Sequence, residues 1–251
     1  MRSAARIALR SSTSLGLCLP NERVCKDNFR SNLAIVRIKV FQAQTLSETE
    51  FDEIVSVLRS GGVIGFPTDT AYGLGADPYN EQAVRKVFDL KGRPETKPIL
   101  LLVNSLEMAE AVVLSTGMFN TLARTFWPGP LTLILRAQPN IPAWITAGTG
   151  NVGIRWPSSG FAAELVRRLE QPITATSANK SGLPSCITAT EVQSQLGDSL
   201  PILVDGGELS ARGGSTLLDL TTEPPTLLRE GPISLDKLQV RVDGRIRRAI
   251  L

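Results

Sequence analysis

The stretch Val63-Ile64-Gly65-Phe66-Pro67-Thr68-Asp69-Thr70-Ala71-Tyr72-Gly73-Leu74-Gly75 decides how the chain is read. Val63 to Phe66 is an apolar run of strand character. Pro67 has no N–H to donate and ends the ladder. Thr68, Asp69 and Thr70 follow where side chains leave the sheet edge. Gly73 and Gly75 permit a tight turn or a close backbone approach to a ligand. Taken alone, the stretch is equally well a polar turn after a strand. Its company along the chain gives it another weight.

Upstream, Ser47 and Glu50 make a capping box, and Phe51, Ile54, Val55 and Leu58 form one apolar helical stripe ended by Gly61-Gly62. The first strand is expected over 35–40, where apolar residues alternate with Arg37 and Lys39. Downstream, Asn80 caps a second helix with Ala83, Val84, Val87 and Phe88 inward. It runs into Lys91-Gly92-Arg93-Pro94, where Pro94 stops it. Pro98–Val103 reads as a strand buried on both faces. Helices over Ser105–Leu114 and Phe119–Phe126 precede a rigid corner, Trp127-Pro128-Gly129-Pro130. Strands follow at Leu131–Leu135, Val152–Trp156, Pro172–Thr176, Ile202–Val204, Thr216–Leu220 and Thr226–Arg229. Helices lie between them at Phe161–Leu169 and Thr190–Leu196, and Pro139–Gly150 is a loop. This interleaving predicts an α/β (α+β) class: one domain over 35–232 with a twisted mixed sheet flanked by helices. Residues 1–34 read as a disordered or targeting-like extension, basic and without acids before Glu22. Residues 233–251 read as a basic, disordered C-terminal tail.

Composition narrows the chemistry. The chain has 251 residues, 42% hydrophobic and 20% charged, with a net charge of +3. That supports a real core and suits phosphate-bearing partners. Histidine is absent, which excludes Ser-His-Asp and Cys-His catalysis and zinc held by histidine. Cys18, Cys25 and Cys186 form no C-x-x-C pair, and their odd number fits a reducing compartment. No apolar run reaches about 18 residues, so no membrane span is expected. The chemistry falls to Lys, Arg, Ser, Thr, Asn, carboxylates and backbone N–H groups, with or without a bound cation.

Two motifs mislead. Gly148-Thr149-Gly150-Asn151-Val152-Gly153 fits G-x-G-x-x-G, but a strand follows it rather than a helix, so no helix N-terminus is there to meet a pyrophosphate. Asn179-Lys180-Ser181 fits a glycosylation sequon without a signal peptide to make it meaningful. Others carry chemistry. Lys91 and Arg93 offer a point charge and a planar fork for a phosphate, with Lys97 a third cation, though cations at a helix C-terminus also suit the helix dipole. Ser177 and Asn179 place a hydroxyl and an amide past a strand end, the alternative being a plain turn. Gly213-Gly214-Ser215-Thr216 and Leu228-Arg229-Glu230-Gly231 are further polar points at strand ends, where open α/β sheets bind ligands.

In chain order, Pro67–Gly75, Lys91–Pro94, Trp127–Thr132, Val152–Arg155, Thr176–Gly182, Ser215–Asp219 and Leu228–Gly231 together resemble the YrdC/Sua5 family of threonylcarbamoyl-AMP synthases, over about residues 40–232. The chain is similar to the short YrdC type, without the extra C-terminal domain of the longer Sua5 type. The resemblance implies a YrdC-like domain with a basic concave cleft. The implied enzyme is a nucleotidyltransferase that uses ATP, L-threonine and bicarbonate, with Mg²⁺, to make threonylcarbamoyl-AMP. It implies a product used for t6A modification of tRNA by a downstream tRNA threonylcarbamoyl transferase, and a cytoplasmic location unless 1–34 directs organellar import. Lys91, Arg93, Ser177 and Asn179 match the family's catalytic K-x-R…S-x-N set. Arg93, Lys97, Asn151, Ser177, Ser185 and Arg229 match ATP-binding positions, and Thr70, Arg155, Ala175 and Ser215 the threonine pocket. Leu102 stands near a position where longer members often carry histidine, and Lys97 near one that is often asparagine. The competing readings are a double-stranded RNA or tRNA-binding module without catalysis, and a carbamoyl-transferring relative of the hydrogenase-maturation type.

Overall fold

A computed structural model of the chain describes residues 38–158, 160–210, 214–242 and 244–249. The extension 1–34 and the start of the expected first strand lie outside the described residues. In chain order the elements are β1 Lys39–Gln42, α1 Glu48–Arg59, β2 Ile64–Pro67, β3 Tyr72–Gly75, α2 Glu81–Lys91, β4 Leu101–Leu102, α3 Leu106–Val112 and α4 Gly117–Phe126. There follow β5 Leu131–Arg136, α5 Ala143–Thr146, β6 Asn151–Arg155, α6 Gly160–Leu169, β7 Ile173–Thr174, β8 Thr176–Ser177, α7 Ala189–Leu196, β9 Ile202–Asp205, β10 Thr216–Asp219, β11 Thr226–Arg229, α8 Leu235–Gln239 and β12 Arg247–Arg248.

The mixed α/β class is as expected, but the strands form two sheets, not one. The first has the order β1-β9-β2-β3-β8 and the second β12-β11-β10-β5-β6-β4-β7. The expected strand Pro172–Thr176 explains the division. Its first part, β7, pairs with β4, and its second, β8, pairs with β3. Ala175, between them, donates its N–H to Leu100 O at 2.9 Å. One extended segment is thus handed from one sheet to the other, a choice that depends on distant partners.

The stretch around Asp69 is a hairpin. Phe66 pairs with Gly73 and Ile64 with Gly75, so these glycines sit in strand β3 and do not form a turn. The turn is Thr68–Ala71, closed by Thr68 Oγ1 donating to Ala71 O at 2.7 Å. Gly75 is required by packing: a Cβ there would lie 2.7 Å from Ile173 Cδ1 and 2.8 Å from Phe66 Cε1. The capping box at Ser47 and the Asn80 cap form as read. Helix α2 stops at Gly92, not Pro94, because Gly92 adopts the left-handed conformation at φ 57°.

Two apolar clusters hold the sheets. Phe51, Ile54, Val55 and Leu58 of α1, with Ala162, Leu165 and Val166 of α6, cover Phe41, Ile64, Phe66, Ile202 and Val204 of the first sheet. The larger cluster packs Leu131, Leu133, Leu135, Val152, Ile154 and Leu218 of the second sheet with α2, α3, α4 and α7. The loop Pro139–Gly150 carries the short helix α5. The segment read as a disordered basic tail is packed: Leu238, Val242 and Ile246, spaced four apart, are buried, and Arg247 pairs with Thr226. The arginines obscured that spacing.

Thr216 fastens the turn that follows β11. Its hydroxyl donates to Ile233 O at 2.7 Å and accepts the N–H groups of Gly231 and Ile233 at 3.0 Å. Gly231 must be glycine, since a Cβ would meet Thr216 N at 2.6 Å. Thr216→Val keeps the shape and orphans three buried backbone groups. It is expected to cost about 2–3 kcal/mol, read as a lower urea midpoint at unchanged m-value.

Candidate active site

A cavity of about 350 Å³ opens between the hairpin of the first sheet and one face of the second. Strand alternation builds its floor. On β6, Asn151, Gly153 and Arg155 line the cavity while Val152 and Ile154 enter the core. On β5, Thr132 and Ile134 line it while Leu131, Leu133 and Leu135 enter the core. The register sets Leu217 of β10 beside Thr132 and opposite Arg229 of β11. The walls are Thr68, Thr70 and Ala71 of the hairpin turn, Ala175, Thr176, Ser177, Ser185, and the segment that carries Arg93 and Pro98.

Three guanidinium groups line this space. Arg155 is 3% exposed. Its Nη1 donates to Thr70 Oγ1 at 2.7 Å, and its Nη2 lies 3.5 Å from Asp69 Oδ1. Burial pushes it below its ordinary range; Asp69 opposes this and Arg229 adds repulsion. Arg93 donates from Nη1 to Thr176 Oγ1 at 3.2 Å and from Nη2 to Pro98 O at 2.7 Å. Arg229 donates from Nε to Ser215 O at 2.9 Å and lies over Gly214, where a Cβ would come within 2.9 Å of its Nη2. Burial lowers Arg93 and Arg229 as well. The hydroxyls of Thr132 and Ser215 are 2.6 Å apart beneath them.

Among the described residues, four buried side-chain polar atoms lack a hydrogen-bond partner: Asp69 Oδ1, Arg93 Nε, Asn151 Oδ1 and Arg155 Nε. Asn151, Arg93 and Arg155 line the cavity, and Asp69 backs Arg155. Unsatisfied buried polar atoms are costly, so their gathering here makes the cleft the candidate site for a polar ligand.

The structure brings together Thr70, Arg93, Asn151, Arg155, Ala175, Ser177, Ser185, Ser215 and Arg229. It does not bring Lys91, Asn179 or Lys97 to the cavity lining. Lys97 is exposed in the loop after Arg93. Lys91 and Asn179 are buried behind the Ser177 loop, 3% and 5% exposed. Burial pushes the Lys91 ammonium down to about 8, with Arg93 adding and Cys186 opposing. Leu102 is core, paired with Arg155. Sequence reasoning did not assign Thr68, Thr132 or Thr176 to the site. Thr132 was findable, as the one polar residue in the apolar run Leu131–Leu135.

Among the described residues, no helix is long and apolar enough to cross a membrane. Fold and site define an α/β protein with an arginine-lined cleft between two sheets. The Sua5/YciO/YrdC family model, described as telomere recombination, matches residues 56–231, and the chain belongs to that family. It is 40% identical over 191 residues to the threonylcarbamoyl-AMP synthase of Pyrococcus abyssi, covering 76% of this chain and 56% of that protein. It is 33% identical over 185 residues to the threonylcarbamoyl-AMP synthase of Vibrio parahaemolyticus, covering 72% of this chain and 98% of that one. The crystal structure of Pyrococcus abyssi Sua5 complexed with L-threonine superposes with a TM-score of 0.79 at 36% identity, covering 84% of this chain and 62% of that one. The chain therefore spans little more than half of some relatives and nearly all of others.

Arg155→Met should leave the Asp69 carboxylate without its cation in a buried setting. The expected loss is about 3 kcal/mol of stability, measured by urea unfolding. Arg155→Lys should lose less, because the charge remains.

Proposed function

We propose that this chain is a threonylcarbamoyl-AMP synthase, joining L-threonine, bicarbonate and ATP into threonylcarbamoyl-AMP and pyrophosphate. The observation that carries the reading is the gathering of unpartnered buried polar atoms and three guanidiniums in one cleft. Kinship to synthases supports it. In this reaction the threonine amine forms a C–N bond to the bicarbonate carbon with loss of water. A carbamate oxygen then attacks the α-phosphate of ATP, and pyrophosphate leaves. Every reacting species on this path is anionic or becomes so. Catalysis then rests on fixed cations and donors that hold them together.

In this reading Arg155, with Thr70, Ser215 and the backbone of Ala175, takes the threonine carboxylate and hydroxyl. Arg93, Ser177, Ser185, Arg229 and Asn151 take ATP, and Lys97 reaches the triphosphate from its exposed loop. Among the described residues no three His, Cys, Asp or Glu side chains cluster to cage a metal. Mg²⁺ would therefore arrive as the counterion of ATP. The product would pass to a downstream tRNA threonylcarbamoyl transferase, in a cytoplasmic setting. The exposed Arg241, Arg245 and Arg247 favour a second reading, a double-stranded RNA or tRNA-binding module without catalysis.

Pyrophosphate release measured with and without threonine and bicarbonate separates the two. The synthase requires both substrates; a pure RNA binder gives no substrate-dependent release and shows steeply salt-dependent RNA affinity. Arg93→Ala is expected to cost about 2–4 kcal/mol of transition-state stabilisation, roughly 30- to 1,000-fold in kcat/KM. An unchanged rate would remove Arg93 from its role.

A further inference from the structure

Helix α2 and the loop after β8 exchange hydrogen bonds in both directions. From the helix side, Lys91 Nζ donates to Ser177 O, to Asn179 O at 2.8 Å and to Asn179 Oδ1 at 3.3 Å. From the loop side, Ser181 N donates to Lys91 O and Lys180 Nζ to Leu90 O, each at 2.8 Å. Those helix carbonyls belong to the terminal turn, which has no intrahelical donors left to serve it. The Asn179 amide closes the loop on itself, with Nδ2 donating to Lys180 O at 2.9 Å and Leu183 O at 2.6 Å. Its orientation is fixed, because lysine can only donate and must face the amide oxygen.

Counting donors decides what Lys91 and Asn179 can do. An ammonium has three N–H donors and a carboxamide two, and here every one has a protein acceptor. Neither side chain has a donor left for a phosphate. Lending one would orphan a buried carbonyl. Arg93 differs: its Nε is unpartnered and it lines the cavity. The left-handed Gly92 between them lets adjacent residues face opposite ways, Lys91 behind the loop and Arg93 into the cleft.

We propose that Lys91 and Asn179 are positioning residues that clamp the loop to α2 and thereby hold Ser177 at the cleft, and that they are not phosphate ligands. The kinetic part of the test rests on the synthase reading; the stability part does not.

The stability test is a double-mutant cycle of Lys91→Met and Asn179→Ala by thermal unfolding. Both substitutions break one clamp, so the double variant should melt close to the worse single variant. Melting shifts that add would overturn the proposal. The kinetic test uses Lys91→Arg and Asn179→Ala. A planar guanidinium cannot aim three converging donors at the loop, although it can serve a phosphate well. Both variants should therefore lose about tenfold or more in kcat/KM for ATP, with the threonine KM changed less than about threefold. Full activity in Lys91→Arg, or a threonine KM raised tenfold at an unchanged kcat/KM for ATP, would overturn the proposal. If Lys91→Met does not fold, Lys91→Gln replaces it in the cycle. If the wild-type chain releases no pyrophosphate, the synthase reading fails and the melting cycle alone decides the clamp.

Discussion

Beside the cleft, a buried guanidinium joins the two sheets. Arg155 stands on β6 of the second sheet, yet its partners Thr70 and Asp69 stand on the hairpin turn of the first. A charge this deeply buried needs both a countercharge and hydrogen bonds. The hairpin turn supplies them, and Asp69 in turn accepts from Ser158 Oγ at 3.0 Å, just beyond β6. The arrangement that keeps the sheets in register at this point is also the wall of the cleft. Arg155 Nε remains unpartnered, so the joint is built with one donor to spare.

Arg93 Nε shares that surplus. Arg93, Arg155 and Arg229 are each held by hydroxyls or carbonyls before any ligand arrives. Such donors need little reorganisation when negative charge develops, which is the physical basis of preorganised electrostatic stabilisation. The cost is local repulsion: Arg229 lowers Arg155, and burial lowers all three. An anionic ligand in the cleft would relieve that repulsion.

Around this centre, supports and ligand-facing groups are separated by small backbone devices. Gly92 turns the chain between a buried lysine and a cleft arginine. Thr216 holds the turn after Arg229 with one hydroxyl serving three backbone groups. Tyr72, fully buried, donates to Gly207 O at 2.8 Å and so ties the end of β9 to the hairpin. These supports share motifs with the ligand-facing residues, so a motif match cannot tell the two apart.

The sequence by itself determined what acts within a few residues. The capping box at Ser47, the Asn80 cap, the apolar stripes and most strands of the α/β class are local signals of propensity, capping and periodicity. So was the chemical inventory: without histidine, Lys, Arg, Ser, Thr, Asn, carboxylates and backbone N–H groups remained. Tertiary structure alone decided what depends on distant pairing. It placed Gly73 and Gly75 in a strand, split the segment at Ala175 between two sheets, and packed the arginine-rich end through Leu238, Val242 and Ile246. It also sent Arg93 to the cleft and buried Lys91 behind the Ser177 loop. Propensity is felt over one turn of helix or one hairpin, whereas burial and hydrogen-bond supply are set by partners far along the chain, such as those joining Arg93 to Thr176, 83 residues apart, and Arg155 to Thr70, 85 apart.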